Sequence, residues 1–397
     1  MTPIRSPHCA KLASSDELDM KAPLTILRDI YADPYAAARA HRAAGGKVVG
    51  YLLNSVPEEL IIAAGCFPVR LRGDPARLPP LAERYMEEYL DGEVRSLFGA
   101  LLEGRFDFVD LLVIPRNSEV YLQLYYFLLE MPKWEPQARI PPLYLLDLLQ
   151  TPSATTLRYV AGRLHDFANR LSEISGRSTT APALSKAINT VNAKRTSLQT
   201  ASRLWQSPAP ALNGVDALTV ISAASFAAHD TYMSALKALI ADPPAAASPK
   251  ARLLLKGSPQ SDLRFTALVV RVGAGVVAHD HLWGDRTYST AVPEDGDPWH
   301  ALARHYSLDI PSPREYPQAK ADQSFLSLIE KAHVQGVIFF HDEWDDTLGW
   351  EYPDQKKLLE QRGVPSVFLK RQRYFDPDGA QQTEGVRALL ESLQHRS

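Results

Sequence analysis

Cysteine is nearly missing from this chain of 397 residues, which contains two, Cys9 and Cys66. Two thiols cannot build a disulfide framework, and no CxxC pair is available for a zinc or iron–sulfur module. The scarcity fits a reducing cytosol, and a cytoplasmic location is expected. Long apolar runs are also lacking, so no bilayer span is expected. The opening MTPIRSPHCAKLASSDELDM has no apolar h-region and does not read as a signal peptide. Charge of one sign is not in excess: the formal net charge is −3, with Lys and Arg spread along the chain. Without a basic stripe, nucleic acid is not an expected partner. There is no P-loop lysine pattern and no GxSxG elbow. Gly273-Ala274-Gly275 precedes a strand instead of following one, so it reads as a helix stop and not as a dinucleotide fingerprint.

What is present is an α/β rhythm, at a length that favours two domains. Apolar runs predict strands at 48–53, 68–71, 110–115 and 143–147, and again at 252–256, 275–278, 336–340 and 366–369. Continuous apolar runs bounded by turn signals read as strands buried on both faces, hence parallel. Between them, periodicity predicts helices that include Met86–Glu103 and 119–130, and later ones near 298–307, 322–335, 354–362 and 381–394. From 153 to about 241 the strand signal disappears, and two or three long helices are expected. The segment ADPPAAASPKA, 241–251, has linker composition. The expected layout is a loose tail at 1–20, an α/β domain at 21–150, a helical connection at 151–245 and a second α/β domain at 246–397. The halves share an architecture without a visible sequence repeat.

Open parallel sheets bind ligands beyond the carboxyl ends of their strands. Two such ends are unusually polar: Arg116-Asn117-Ser118-Glu119 and His341-Asp342-Glu343-Trp344-Asp345-Asp346. The acidic loop could hold a hard cation, but solvated surface is the preferred reading. His279-Asp280-His281 lacks a clear third metal ligand, so contacts through Trp283 and Arg286 are favoured over metal binding. Ser55 and Ser118 read as helix caps. Ser258 is read the same way, with a helix N-terminus that could hold phosphate.

An ordered set of segments resembles the 2-hydroxyacyl-CoA dehydratase and benzoyl-CoA reductase subunit family. It comprises Gly50-Tyr51, Val56-Pro57-Glu58-Glu59-Leu60, Ala63–Val69, Gly99–Leu102, Asp110–Pro115, Leu254–Pro259, Gly275–Asp280, Gly284-Asp285-Arg286, Gly336-Val337-Ile338 and Gly363-Val364-Pro365. The resemblance implies two flavodoxin-like (Rossmann-like) domains with parallel sheets, joined by helices. It further implies pairing with a related, cysteine-bearing subunit, low-potential electrons from an ATP-hydrolysing activator, and an acyl-CoA thioester substrate. Family subunits hold an iron–sulfur cluster on cysteines from three strand-end loops. At those positions this chain has Asp91, Ser118 and Asp345. Oxygen substitutes poorly for thiolate, so no cluster held by this chain is expected, and a [4Fe-4S] cluster would belong to the partner. Asp91, Ser118 and Asp345 become the candidate catalytic groups, with no metal assigned. Ser55, Glu59, Arg116, Ser258 and Arg286 are the candidate thioester-site residues, with Arg70, Arg72 and Lys256 as further cations. The resemblance leaves three roles open: a cluster-free subunit of an acyl-CoA dehydratase (lyase) or aryl-CoA reductase, a non-radical acyl-CoA enzyme, and a non-catalytic scaffold.

Overall fold

The computed structural model describes residues 22–246, 248–311, 317–375 and 378–395. It holds two four-stranded sheets in which every strand pair is parallel. The first comprises β1 (Val48–Tyr51), β2 (Phe67–Arg70), β3 (Leu111–Pro115) and β4 (Leu143–Leu146), in the order β2-β1-β3-β4. The second comprises β5 (Arg252–Gly257), β6 (Gly275–Asp280), β7 (Gly336–Asp342) and β8 (Ser366–Gln372), in the order β6-β5-β7-β8. Each sheet therefore runs 2-1-3-4 in its own count, the flavodoxin-like order, with its switch point between its first and third strands. The apolar runs form parallel strands because both faces are covered. Val49, Tyr51, Leu111 and Val113 face one core, whereas Val48, Leu112 and Ile114 face another. Leu253, Leu255, Ile338 and Phe340 likewise oppose Leu254, Val337 and Phe339 in the second sheet.

Before and around the first sheet run α1 (Pro23–Ala32), α2 (Ala36–Ala43), α3 (Glu58–Ala63), α4 (Pro80–Tyr85), α5 (Gly92–Leu102) and α6 (Glu119–Trp134). The helical region contains α7 (Ala154–Ser175), α8 (Ala181–Ala201), the single turn α9 (Arg203–Gln206), α10 (Gly214–Ala223) and α11 (His229–Ala241). Those four long helices and a turn exceed the two or three expected. The extra breaks come from the left-handed Gly176 cap and from Asn213, which accepts from Val215 N and Asp216 N to restart the chain as α10. Around the second sheet lie α12 (Arg264–Arg271), α13 (Pro298–Arg304), α14 (Gln318–Lys331), α15 (Asp346–Glu360) and α16 (Gly379–Gln394).

The expected helix Met86–Glu103 is shorter by a turn and a half. Asp91 sits at its N-cap and accepts from Val94 N, so α5 begins at Gly92. A short aspartate side chain satisfies helix-end amides better than it supports a helix interior. Conversely, α15 begins eight residues before the expected 354, because Asp345 caps it and Pro353 is accommodated inside.

The two domains interlock. Leu282 and Trp283, just past β6, lie in the core cluster of the first domain beside Phe226. Helix α13 packs on α7 and α8, and Val292, Ala301 and Tyr306 join the core on the β1–β3 face. Within the second domain, Gly257 ends β5 at φ +132, and a Cβ there would lie 2.0 Å from Phe340 O. Only glycine lets β5 and β7 close at this point.

Candidate active site

The carboxyl ends of the strands bring Asp91 and Asp345 to one cleft between the domains. Each caps a helix: Asp91 Oδ1 accepts from Val94 N at 2.9 Å, and Asp345 Oδ1 accepts from Leu348 N at 3.2 Å. Helix N-termini favour the ionised carboxylate. Ser258 ties the second pair together: its Oγ donates to Asp345 Oδ2 at 2.6 Å and accepts from Asp342 N at 3.0 Å. Ser258 is not at a helix start, since α12 begins only at Arg264. That geometry replaces the expected phosphate-holding cap with a link between two acids.

Glu93, Asp342 and Asp262 complete an acidic cluster. Burial pushes the Asp91 carboxyl up, and the Asp345 charge adds to this against the Val94 and Glu93 amides. Glu93 is pushed up to about 7, chiefly by burial and then by Asp91, with Ser261 and Arg70 opposing. Asp342 lies well above the carboxylate range through burial and the charges of Asp91, Asp345, Glu93 and Asp262. Such a set retains shared protons near neutral pH. The 341–346 loop is only partly the solvated surface expected of it: Asp342 and Asp345 turn into the cleft, while Trp344 is exposed and Glu343 pairs outward with Arg373 at 3.6 Å. Among the described residues, no group of three His, Cys, Asp or Glu has metal-binding geometry. Burial holds His341 down to about 4, so it is neutral.

Tyr374 closes one side of the cleft, where its side chain sits so near α5 that a Cβ on Gly92 would lie 2.4 Å from Tyr374 Cβ and 3.0 Å from the ring at Cγ. Tyr121 Oη donates to Glu93 Oε2 at 3.3 Å, which joins the first turn of α6 to the cluster. Ser118, at the N-cap of that helix, makes no side-chain cap bond, contrary to the capping reading. Ser55 is not a cap either: Pro57 holds the N-cap position of α3, and Asn117 Nδ2 donates to Ser55 Oγ at 2.7 Å across the β1 and β3 ends.

The remaining candidates have committed partners. Glu59 is wholly buried, receiving Arg195 Nη1 at 2.7 Å and Tyr306 Oη at 2.8 Å, and so ties α3 to α8. Arg116 lies outside, paired with Asp147 at 3.1 Å. Arg286 and Lys256 both pair with Asp280, at 2.6 and 2.7 Å, which holds that carboxyl far below its usual range. Trp283 is buried and stacks on Arg70, whose guanidinium carbon lies 3.6 Å from its ring centre.

Beside the acidic cluster opens a groove of about 1090 Å³, lined in part by Gly73, Asp262, Asp342 and Tyr374. Arg39, Arg72, Arg105, Arg264, Arg271 and Arg373 line it. Arg39, Arg105, Arg264 and Arg373 each pair with an acid. Arg72 and Arg271 have no carboxylate partner among the described residues, and Arg72 instead donates to Ser261 O and Tyr31 O. Guanidinium groups beside the aromatic rings of Tyr31, Tyr35 and Phe106 suit an anionic nucleotide-like ligand. Sequence reasoning missed Glu93, Asp262 and Tyr374. The Asp91-Gly92-Glu93 run was a local signal for Glu93 alone, and a helix drawn from Met86 hid it.

The donor set does not fit a thiolate-held cluster. The three strand-end positions offer two carboxylates and a hydroxyl, and both carboxylates already serve helix amides. Cys66 immediately precedes β2, at the amino end of the strands and away from the carboxyl-end cleft, and burial raises its thiol to about 11. Cys9 lies outside the described residues.

The family profile described as 2-hydroxyglutaryl-CoA dehydratase, D-component, matches residues 54–393. The chain is 23% identical over 372 residues to the beta subunit of (R)-2-hydroxyglutaryl-CoA dehydratase from Acidaminococcus fermentans, covering 92% of this chain and 97% of that one. It is 23% identical over 359 residues to the (R)-phenyllactyl-CoA dehydratase beta subunit of Clostridium sporogenes, covering 86% and 91%. One subunit of benzoyl-CoA reductase from Thauera aromatica is 23% identical over 349 residues, covering 85% and 89%. The chain belongs to the 2-hydroxyglutaryl-CoA dehydratase D-component family.

Proposed function

We propose that this chain is a cluster-free, cytoplasmic subunit of an acyl-CoA-transforming complex of the dehydratase and reductase type. It contributes a thioester-binding cleft. The [4Fe-4S] chemistry resides in a homologous, cysteine-bearing partner served by an ATP-hydrolysing activator. The observation that carries this reading is the arginine-lined groove leading to an acidic cluster drawn from both domains. The groove suits the phosphates of coenzyme A, and the cluster is positioned to meet the acyl end. The relatives above are each named as one subunit of an enzyme, which favours a partnered assembly. Among the described residues no helix is long and apolar enough to cross a membrane.

A second reading rests on the raised carboxyls. A protonated Asp91 or Asp342 beside a Ser258-bound Asp345 provides an acid and a base in one desolvated site. That pair can move protons on an acyl-CoA without radicals, and Ser118 is the third group of this reading.

The test is purification from the native host followed by calorimetry with acyl-CoA thioesters. A copurifying partner rich in cysteine and iron, together with thioester binding weakened by Arg72→Ala and Arg271→Ala, supports the subunit reading. A homodimer that turns over an acyl-CoA in air overturns it in favour of the second. Absence of thioester binding by chain and complex alike overturns both and leaves a scaffold.

A further inference from the structure

Arg70 is 1% exposed, yet its Nε and Nη2 have no hydrogen-bond partner among the described residues. Its Nη1 donates to Leu282 O at 2.9 Å, and one face of the guanidinium is covered by Trp283. A buried guanidinium with two idle nitrogens is costly unless something accepts from them. Arg70 lines a narrow cavity of about 40 Å³ where β1, β2, α3, α8 and α10 meet. Lys194 and Arg195 line it too, with Glu58. Lys194 is matched by Glu58 at 2.5 Å and Arg195 by Glu59 at 2.7 Å. Among the described residues, Arg70 is the lining cation left without a carboxylate at ion-pair distance. Leu53, also in the lining, holds a left-handed backbone at φ 59. Strain of this kind in a bulky residue persists where the surroundings impose it.

We infer that this cavity is a binding site for one small inorganic anion, with chloride and bromide as its probes, held by Arg70 at the junction of the two domains and the helical region. The space of about 40 Å³ exceeds the roughly 10–15 Å³ of probe-occupied volume that one water needs, so a small anion such as a halide has room there. The site is separate from the thioester groove and supplies no group to the chemistry; it gives the idle nitrogens of Arg70 an acceptor, where Glu93 and Glu58 act on that charge from beyond ion-pair distance, and it fastens the junction.

The test uses the full chain as purified. Melting is followed in sodium chloride and in sodium gluconate at one fixed ionic strength, which removes general screening as a cause. The melting temperature should climb with each tenfold rise in chloride, as expected for a ligand of the native state, and Arg70→Met should abolish the slope. A bromide-soaked crystal should give an anomalous peak beside Arg70 Nε and Nη2. Equal melting in both salts, or a water without anomalous signal at that position, overturns the inference. If Arg70→Met does not fold, the wild-type salt comparison and the bromide map decide the question alone.

Discussion

Replacing Glu93 with glutamine should make the protein more stable, and only at high pH. Glu93 is buried, its exposure being 7%, and its carboxyl is held up from 4.5 to about 7. The folded chain therefore binds this proton more tightly than the unfolded chain. The associated stability is fully present below pH 4.5 and is lost as pH rises through 7. A displacement of about 2.5 units at 1.36 kcal/mol each gives about 3 kcal/mol. Glutamine carries no charge at any pH, and its carbonyl can still accept from Tyr121. Wild type and Glu93→Gln should thus melt together at pH 5. At pH 8 the variant should be more stable by about 3 kcal/mol, or about 4 °C for a single transition of this length. Calorimetry across pH 5–8 reads the difference. Parallel curves would show that Glu93 is not a desolvated carboxyl, and the shared-proton description of the cleft would fail with it.

Asp91→Asn should not destabilise the fold, because asparagine also caps helices and burial holds the Asp91 carboxyl above its usual range; Asp345→Asn should melt within about 1 kcal/mol of wild type for the same capping reason. If the two carboxyls act as acid and base, turnover of the assembled enzyme should be lost in both variants; retained turnover rejects that role. Glu59→Ala strands the buried Arg195 charge and should cost about 3–5 kcal/mol in denaturant melts; a neutral result would mean that water reaches Arg195. Trp283→Ala removes the plug over Arg70 and should cost about 3–5 kcal/mol, measured the same way; a loss below about 1 kcal/mol would show that the interdomain core repacks without it.

The sheets were legible because burial on both faces writes continuous apolar runs, as in Leu111–Pro115 and Gly336–Phe340. Helix starts were less so. Asp91 and Asp345 act through single cap bonds, which leave little periodic trace, and prolines 132 and 353 sit inside helices instead of ending them. Asp91 and Asp345 were found through the family resemblance, not through spacing, since they are brought together only when the domains close. Glu93 and Tyr374 were hidden for the same reason: their contact joins α5 to the segment after β8. Arg286 was legible as a cation but not as Asp280's partner, since that pairing depends on the turn after β6.

The seating of Leu282 and Trp283 in the first domain's core constrains how this molecule can move. Two domains linked only by peptide would swing about a hinge and accept ligands of many widths. Here a side chain of one domain is packed into the other, stacked on a buried arginine, so a wide swing would have to draw an indole out into water. That wedge restrains how far the two sides of the cleft can part. A cleft so restrained binds with little ordering cost and discriminates by the thickness of what enters it, so under the function proposed above its selectivity becomes a property of the joint as much as of the walls.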